Sequence, residues 1–589
     1  MHHRRPVVLA LAAVLVLGGC SLPSPNSTAS PTVTRPRLPS ITSAVAYSPR
    51  AAPRPGGTIT VGSWQFPNRL SPYFGTQMAA TPVDQALFDG LVASEPDLGV
   101  FGDLASDVPT IANGGVKQVG SGMDVTFELR QGLTWSDGQP LTPDDVIFTY
   151  QTVSGAGVAA GVGQEGYDLI TSVERAGPSG VVMHFRSLFP AFVNLFPAIL
   201  PKHRLQGVAT NQLAADAYWT KPDVVSGPFT IQDVAGDRIT VRRNPHYADG
   251  RSAMAVLGHP AYTDRVVFQA FTSRQAVLAA LKAGDVQADI DLTERELNTL
   301  ATLRGVSVTL APALAYEQLS LNQANPNPAT GASPPWVGDR IVRQALDLGM
   351  DRPGIVRHLG GGLPQTATPV APLIAWAYNA NVAAPIYDLE QARRVLDQDG
   401  WAPGSDGVRV KNGHRLAFVL TAAADQQLRA TEQDILVAGW RRLGADVTIQ
   451  DAPVDRLFAS FDQGGVLARG TYEAALWSWI VPPDPDSEYD IFHSSSTPAS
   501  GRPAGVNYSR CHDAAVDQAL ENGRATLDQA QRGAAYRAFQ VAYASVRCEL
   551  PLYRRLNIGA VAPALHNFTL NASPAGNTWN LADWWLDSR

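Results

Sequence analysis

At 589 residues, 45% hydrophobic and 17% charged, the chain has the composition of a folded protein but is too long for one ordinary core, so two or three domains are expected. Its 46 basic residues against 53 acidic ones leave a net charge of −7, and with no basic excess nucleic acid is excluded as a partner. Cysteine use is sparse, with three in the whole chain.

Arg4 and Arg5 precede an apolar run over 7–17, and Gly18, Gly19 and Cys20 follow. The run is shorter than the roughly 20 residues a helix needs to span a bilayer, so 1–19 reads as a cleaved signal peptide. Leu17-Gly18-Gly19-Cys20 resembles the bacterial lipobox. Cys20 is therefore the expected lipidation site, with acyl chains holding the mature protein on the extracytoplasmic face of a bacterial cell membrane. Residues 20–55 are rich in Ser, Thr, Pro and Ala and have no apolar periodicity. Such a stretch buries too little surface to offset its ordering entropy, so it is expected to be a disordered, lipid-anchored tether.

In the remaining body, short strands alternate with helices, which predicts α/β layers. Strands are expected at 58–61, 125–129, 181–185, 239–242, 265–268, 417–421, 446–450 and 474–479. Helices are expected at 144–152, 273–283, 339–348, 389–398, 429–443, 512–522 and 528–544. Thr142-Pro143-Asp144-Asp145 offers an N-cap, a proline at the first helical position and acids against the helix dipole. Gly284 and Gly400 sit where helices need a left-handed stop. The last two helices predict an antiparallel hairpin that brings Cys511 and Cys548 to one end. In an oxidising compartment the pair invites a disulfide, provided Cys511 stands on an extended lead-in; two buried thiols are the alternative.

Motifs of catalysis are missing. Gly155 to Ala160 fits a GxGxxA pattern but follows a helix instead of a strand, so it cannot aim a helix N-terminus at a pyrophosphate and reads as a loop. HExxH, GxSxG and GxxxxGK[ST] do not occur, and the 11 histidines are dispersed. The chain is expected not to be an enzyme, with no catalytic residue, no metal site and no cofactor.

Nine ordered segments carry a family resemblance. They include Gly56 to Val61 with Leu70-Ser71-Pro72, the run Gly132-Leu133-Thr134-Trp135-Ser136-Asp137-Gly138-Gln139-Pro140-Leu141-Thr142, Ser226-Gly227-Pro228-Phe229, and Arg243-Asn244-Pro245-His246-Tyr247. Ala283 to Asp289, Val342 to Leu346, Tyr387 to Ala392 and Asn507-Tyr508-Ser509 follow in order. The chain resembles the extracytoplasmic solute-binding proteins of oligopeptide and dipeptide ABC importers, family 5. The resemblance implies a two-lobed, periplasmic-binding-protein-like clamp of class II type. Lobe I is expected from 56–97, 226–312 and 548–589, with a peripheral insertion domain at 98–225, and lobe II from 313–547. Hinge crossings are expected near 310–318 and 547–553. The implied function is that of a monomeric solute-binding lipoprotein, which delivers a peptide or similarly sized polar solute to a membrane permease.

Ligands of α/β sheets gather beyond the carboxyl ends of strands. That rule selects Trp64, Gln65, Phe66 and Asn68 after the first strand, and Trp477, Ser478 and Trp479 with Asp484 and Asp486 at a later one. The tryptophans offer flat contact area and the acids an answer to a cationic group; filling core and capping a helix are the structural alternatives. Peptide-binding members of the resembled family carry an acid shortly after the strand tryptophan. Here Ile480-Val481-Pro482-Pro483 intervene. Either Asp484 takes that role from a shifted loop, or the ligand has no amine to hold, as a metal chelate, glycoside or haem-like compound would not. A reading of a different class is a clamp-fold lipoprotein with a regulatory or scaffolding role and no transport.

Overall fold

The computed structural model describes residues 40–41, 47–52, 54–74, 78–155, 166–252, 254, 257–324, 333–359, 368–424, 426–500 and 505–587. The expected signal peptide, Cys20 and the glycine-rich run from Ala156 onward lie outside the described residues.

Ten strands make one sheet: β1 (Thr58–Ser63), β2 (Phe229–Ala235), β3 (Arg238–Arg243), β4 (Arg265–Ala270), β5 (Ala288–Asp289), β6 (Ser307–Leu321), β7 (Ala417–Thr421), β8 (Asp446–Ile449), β9 (Ala474–Ile480) and β10 (Glu549–Val561). Their spatial order is β8-β7-β9-β6-β10-β5-β1-β4-β3-β2. The strands at one end form lobe II and those at the other lobe I, while the long β6 and β10 run through both, giving the α/β clamp. Strand β9 is buried at every position except Ser478 and Ile480, as expected for a central strand covered on both faces.

Local signals set most element ends. Thr142 and Asp145 form a capping box before helix Pro143–Val153, and the Asp145 carboxylate accepts the Thr142 N–H at 2.8 Å. Gly284 and Gly400 stop helices Arg274–Ala283 and Leu389–Gln398 with φ of +86° and +87°.

The two central strands hold a feature that local pattern does not announce. Pairing between β6 and β10 shifts register between Pro312 and Tyr316 and again between Glu317 and Gln318. Proline cannot donate to a ladder, so the ladder breaks where the chain passes between lobes. The β10 partners are Leu556 and Arg554 at the first shift and Tyr553 and Pro551 at the second, the latter pair within 547–553. Arg547 ends helix Gln529–Val546 in the left-handed conformation.

Residues 98–225 contribute a four-stranded antiparallel sheet of Val116–Val119, Gly122–Glu128, Gly180–Phe185 and Ile170–Ala176. This sheet has its own core around Phe127, Trp135, Val146 and Phe196. In lobe II, Asp513 and Asp528 cap helices Ala514–Arg524 and Gln529–Val546. Cys511 precedes the first helix, and its Cα lies 5.9 Å from that of Cys548, with the two sulfurs bonded.

The expected tether of 20–55 is too long at its far end. Tyr47 to Ala52 lie against the C-terminal segment, where Tyr47 donates to Asp583 at 2.6 Å and the Arg50 N–H donates to Asn567 at 2.9 Å. Hydrogen bonds to residues more than 500 positions away hold a stretch that composition alone predicts to be unstructured.

Candidate ligand-binding crevice

Strand direction fixes where a site can form. β1 is parallel to β4 and β5, β5 is antiparallel to β10, and β10 is antiparallel to β6, so the lobe I strands run with β6 towards lobe II. β9 is antiparallel to β6 and parallel to β7, so the lobe II strands run the opposite way. The carboxyl ends of both sets therefore point at the junction of the lobes, where unpaired strand ends and the loops after them face one another.

On the lobe I side, Ser63 Oγ donates to the Asp291 carboxylate and accepts the Gln65 N–H at 3.1 Å, which turns the chain sharply after β1. The half-buried Trp64 ring covers Arg274, 4.8 Å from its guanidinium, at the first turn of helix Arg274–Ala283. Gln65 and Asn68 are exposed, and Phe66 packs on the lobe I core. Behind them Asp289 is 2% exposed; burial, with the neighbouring Asp291, pushes its carboxyl up to about 7.

On the lobe II side the predicted residues divide. Trp477 is fully buried and packs edge-on against Trp479 at 5.9 Å. It is core, so ligand contact is not available to it. Trp479 is 6% exposed and stacks on Tyr508 at 5.9 Å. Asp484 accepts two hydrogen bonds from Arg532, at 2.6 and 2.8 Å, and caps the turn Pro485–Ser487. Asp486 takes Arg524 at 2.8 and 3.0 Å. Both acids are thus held in structural ion pairs, and the expectation that they meet a ligand cation is corrected. Where an acid would answer an amine, the strand ends on Ile480, 44% exposed.

Ser478 faces the other side of β9 and joins a network that runs across the junction. Arg555 on β10 donates to Glu294 of lobe I at 3.0 Å and to Ser478 Oγ of lobe II at 3.0 Å. Arg429, from the helix after β7, donates to Glu317 of β6 at 2.8 Å and to Ser478 Oγ at 3.1 Å. Glu294 also accepts the Leu556 N–H at 2.8 Å. Burial opposes the Arg555 charge, but Glu294, Tyr553 and Glu317 hold its pKa above the ordinary arginine value. Nearby, burial raises the Glu432 carboxyl well above the usual range and the Glu317 charge adds to this, while Tyr553 donates to it at 2.6 Å. Sequence reasoning missed Arg429, Arg555, Glu294 and Glu317. The one available signal was a pair of adjacent arginines, Arg554 and Arg555, inside a mostly apolar strand.

A separate cleft of about 610 Å3 lies between the edge strand Val116–Val119 of the insertion and the tip of the helical hairpin, lined by Ile111, Val116, Lys117, Leu527 and Asp528. A small pocket at the end of β1 is lined by Ser63, Gln65, Phe66, Phe268 and Ile290. Among the described residues no group of three His, Cys, Asp or Glu is placed to hold a metal ion, and no helix is long and apolar enough to cross a membrane.

Known proteins share this arrangement. A family profile described as bacterial extracellular solute-binding proteins, family 5 Middle, matches residues 104–500. The oligopeptide-binding protein AppA of Bacillus subtilis is 25% identical over 542 residues, covering 91% of this chain and 92% of AppA. Protein XP55 of Streptomyces lividans is 28% identical over 498 residues, covering 83% and 82%. The solved structure of Bacillus subtilis AppA with a nonapeptide superposes with a TM-score of 0.74 over 91% of this chain and all of that one. NikZ of Campylobacter jejuni, solved with Ni(L-His), reaches 0.72 at 24% identity, covering 90% and 99%. The matched family consists of solute-binding proteins and not of enzymes, and the chain belongs to it: it is a bacterial extracellular solute-binding protein of family 5.

Proposed function

We propose that this chain is the lipid-anchored solute-binding subunit of an ABC importer, which captures a peptide or similarly sized polar solute between its lobes and hands it to a membrane permease. The observation that carries the reading is the opposition of strand ends across the junction, with the Trp64–Asn68 loop on one side and Trp479–Ile480 on the other. Trp64, Gln65, Phe66 and Asn68 form the lobe I wall. Trp479 backs the lobe II wall from behind, with Ser478 holding the hinge-side network and not the ligand. The likeness to AppA, an oligopeptide-binding protein solved with a nonapeptide, supports peptide as the solute. A second reading of the ligand rests on Ile480: an apolar side chain at this rim suits a solute without a free amine, and NikZ was solved with a metal chelate.

Native mass spectrometry of the purified protein tests the solute class. A co-purified mass that fragments as a peptide supports the first reading, a metal chelate or other non-peptide mass the second. The anchor is tested separately: Cys20→Ala is expected to stop processing or release the protein from membranes, and unchanged retention with unchanged processing contradicts it.

A further inference from the structure

Two leucines join the insertion to lobe II away from the hinge strands. Leu98 stands in the turn between the paired strands Val92–Ser94 and Val100–Gly102, and packs on the buried lobe II cluster to which Trp477, Phe492 and Phe539 belong. Leu527 stands at the tip of the hairpin made by helices Ala514–Arg524 and Gln529–Val546, and packs on the insertion core to which Val116, Phe127 and Trp135 belong. Each body thus sends one half-buried apolar side chain onto the core of the other.

The turn that carries Leu98 is held in an unfavourable shape. Leu98 has φ at +69°, a left-handed conformation that leucine adopts against its preference and glycine adopts freely. Three bonds keep it there: the Glu95 N–H donates to the Gly99 carbonyl at 2.8 Å, the Leu98 N–H to the Glu95 carbonyl at 2.9 Å, and the Gly99 N–H to the Asp97 carboxylate at 2.9 Å. Asn571 Nδ2 donates to the Ser94 carbonyl at 2.8 Å, which ties the base of the turn to the C-terminal segment. A leucine kept at such a position is accounted for by what its side chain touches. On the other body, the Asp528 N–H donates to Thr526 Oγ at 3.1 Å and Asp528 caps the second helix, so Leu527 is presented on a short, fixed link. Leu527 lines the cleft of about 610 Å3 together with Val116, 4% exposed, and Ile111, 62% exposed. The contact is seated beside open space, so it can part without unfolding either core.

We propose that Leu98 and Leu527 form a reciprocal latch that holds the insertion against lobe II when no solute is bound. Both contacts are apolar, and neither residue lies in β6, in β10 or in the Trp64–Asn68 loop, so the latch does not depend on which solute the clamp takes. A clamp that turns about its hinge strands must part these contacts to open. The latch therefore biases the free protein towards the closed form, and it slows release because solute leaves only after the two leucines have withdrawn.

Electron–electron distance measurement between spin labels on Ala112→Cys and Ala525→Cys tests this, on the mature chain freed of co-purified solute by a guanidinium wash and refolding. Both positions are exposed and adjoin Ile111 and Thr526 on the two sides of the cleft. The labelled parent is expected to give one short distance. Leu98→Gly combined with Leu527→Ser is expected to raise the ratio of separated to latched molecules at least about tenfold, from the loss of two half-buried leucine contacts. Leu98→Gly alone, which gives the turn a residue suited to its φ, is expected to shift the ratio the same way by at least about threefold. Leu527→Met is expected to keep the parent distribution, and circular dichroism confirms that the variants fold. A parent that is mostly separated, or a Leu98→Gly or double variant with the parent's distribution, overturns the latch.

Discussion

Glu488 and Glu549 sit deep in lobe II, 1% and 2% exposed, and burial pushes both carboxyls up to about 8 from an ordinary 4.5. For an acid raised in this way, the folded state holds its proton more tightly than the unfolded state does. The stability these two groups contribute is therefore fully present at and below about pH 4.5, declines as pH rises towards about 8, and levels off above it. Glu549→Gln keeps a hydrogen-bonding amide and removes the ionisation. At pH 8 it is expected to raise stability by about 1 to 3 kcal/mol and to flatten the decline in melting temperature between pH 5 and 8, measured by scanning calorimetry. A variant curve parallel to the parent's contradicts the assignment. At this scale the sequence was only partly legible. Trp64, Gln65 and Asn68 stand where the strand-end rule puts them. The fate of Asp484 and Asp486 was hidden, because their partners Arg532 and Arg524 lie 48 and 38 residues further along. An acid beside a strand end looks the same from sequence whether a ligand or a distant arginine awaits it.

Strands and helices with a clear period emerge almost as written in the residues. The expected strand 417–421 and helix 389–398 match Ala417–Thr421 and Leu389–Gln398, because alternation, caps and glycine stops are all local. Elements set by distant pairing were less legible. β5 is two residues long and exists because β1 and β10 flank it, and the register shift of β6 depends on the strand that Pro312 meets. The helical hairpin belongs to the first kind, and its cysteines yield a direct test. Peptide mapping without reductant is expected to recover Cys511 and Cys548 in one linked peptide pair. Reduction is expected to cost about 3 to 4 kcal/mol of stability, from freeing a loop with a separation of 37 residues. Two freely alkylated thiols in native protein contradict the bridge.

For the molecule as a whole, one sheet threads both lobes, and the Glu294–Arg555–Ser478 contacts tie lobe I, a hinge strand and lobe II together on one face. Such a frame is suited to a hinge closing over a solute, since β6 and β10 are the strands on which both lobes build. The family was legible because its segments recur in order along the chain, whereas the solute was not, because the proposed wall is assembled from a few residues of one loop and one strand end more than 400 positions apart. In the proposed function solute binds at the opposed strand ends, with the half-buried Trp64 ring as an aromatic contact on the lobe I side. Calorimetry with the solute identified by native mass spectrometry, on the parent and on a folded Trp64→Ala variant, tests it most directly. Loss of a central aromatic contact is expected to cost at least about 2 kcal/mol, or about 30-fold in affinity. Equal affinity in the two proteins contradicts the account and places the solute elsewhere.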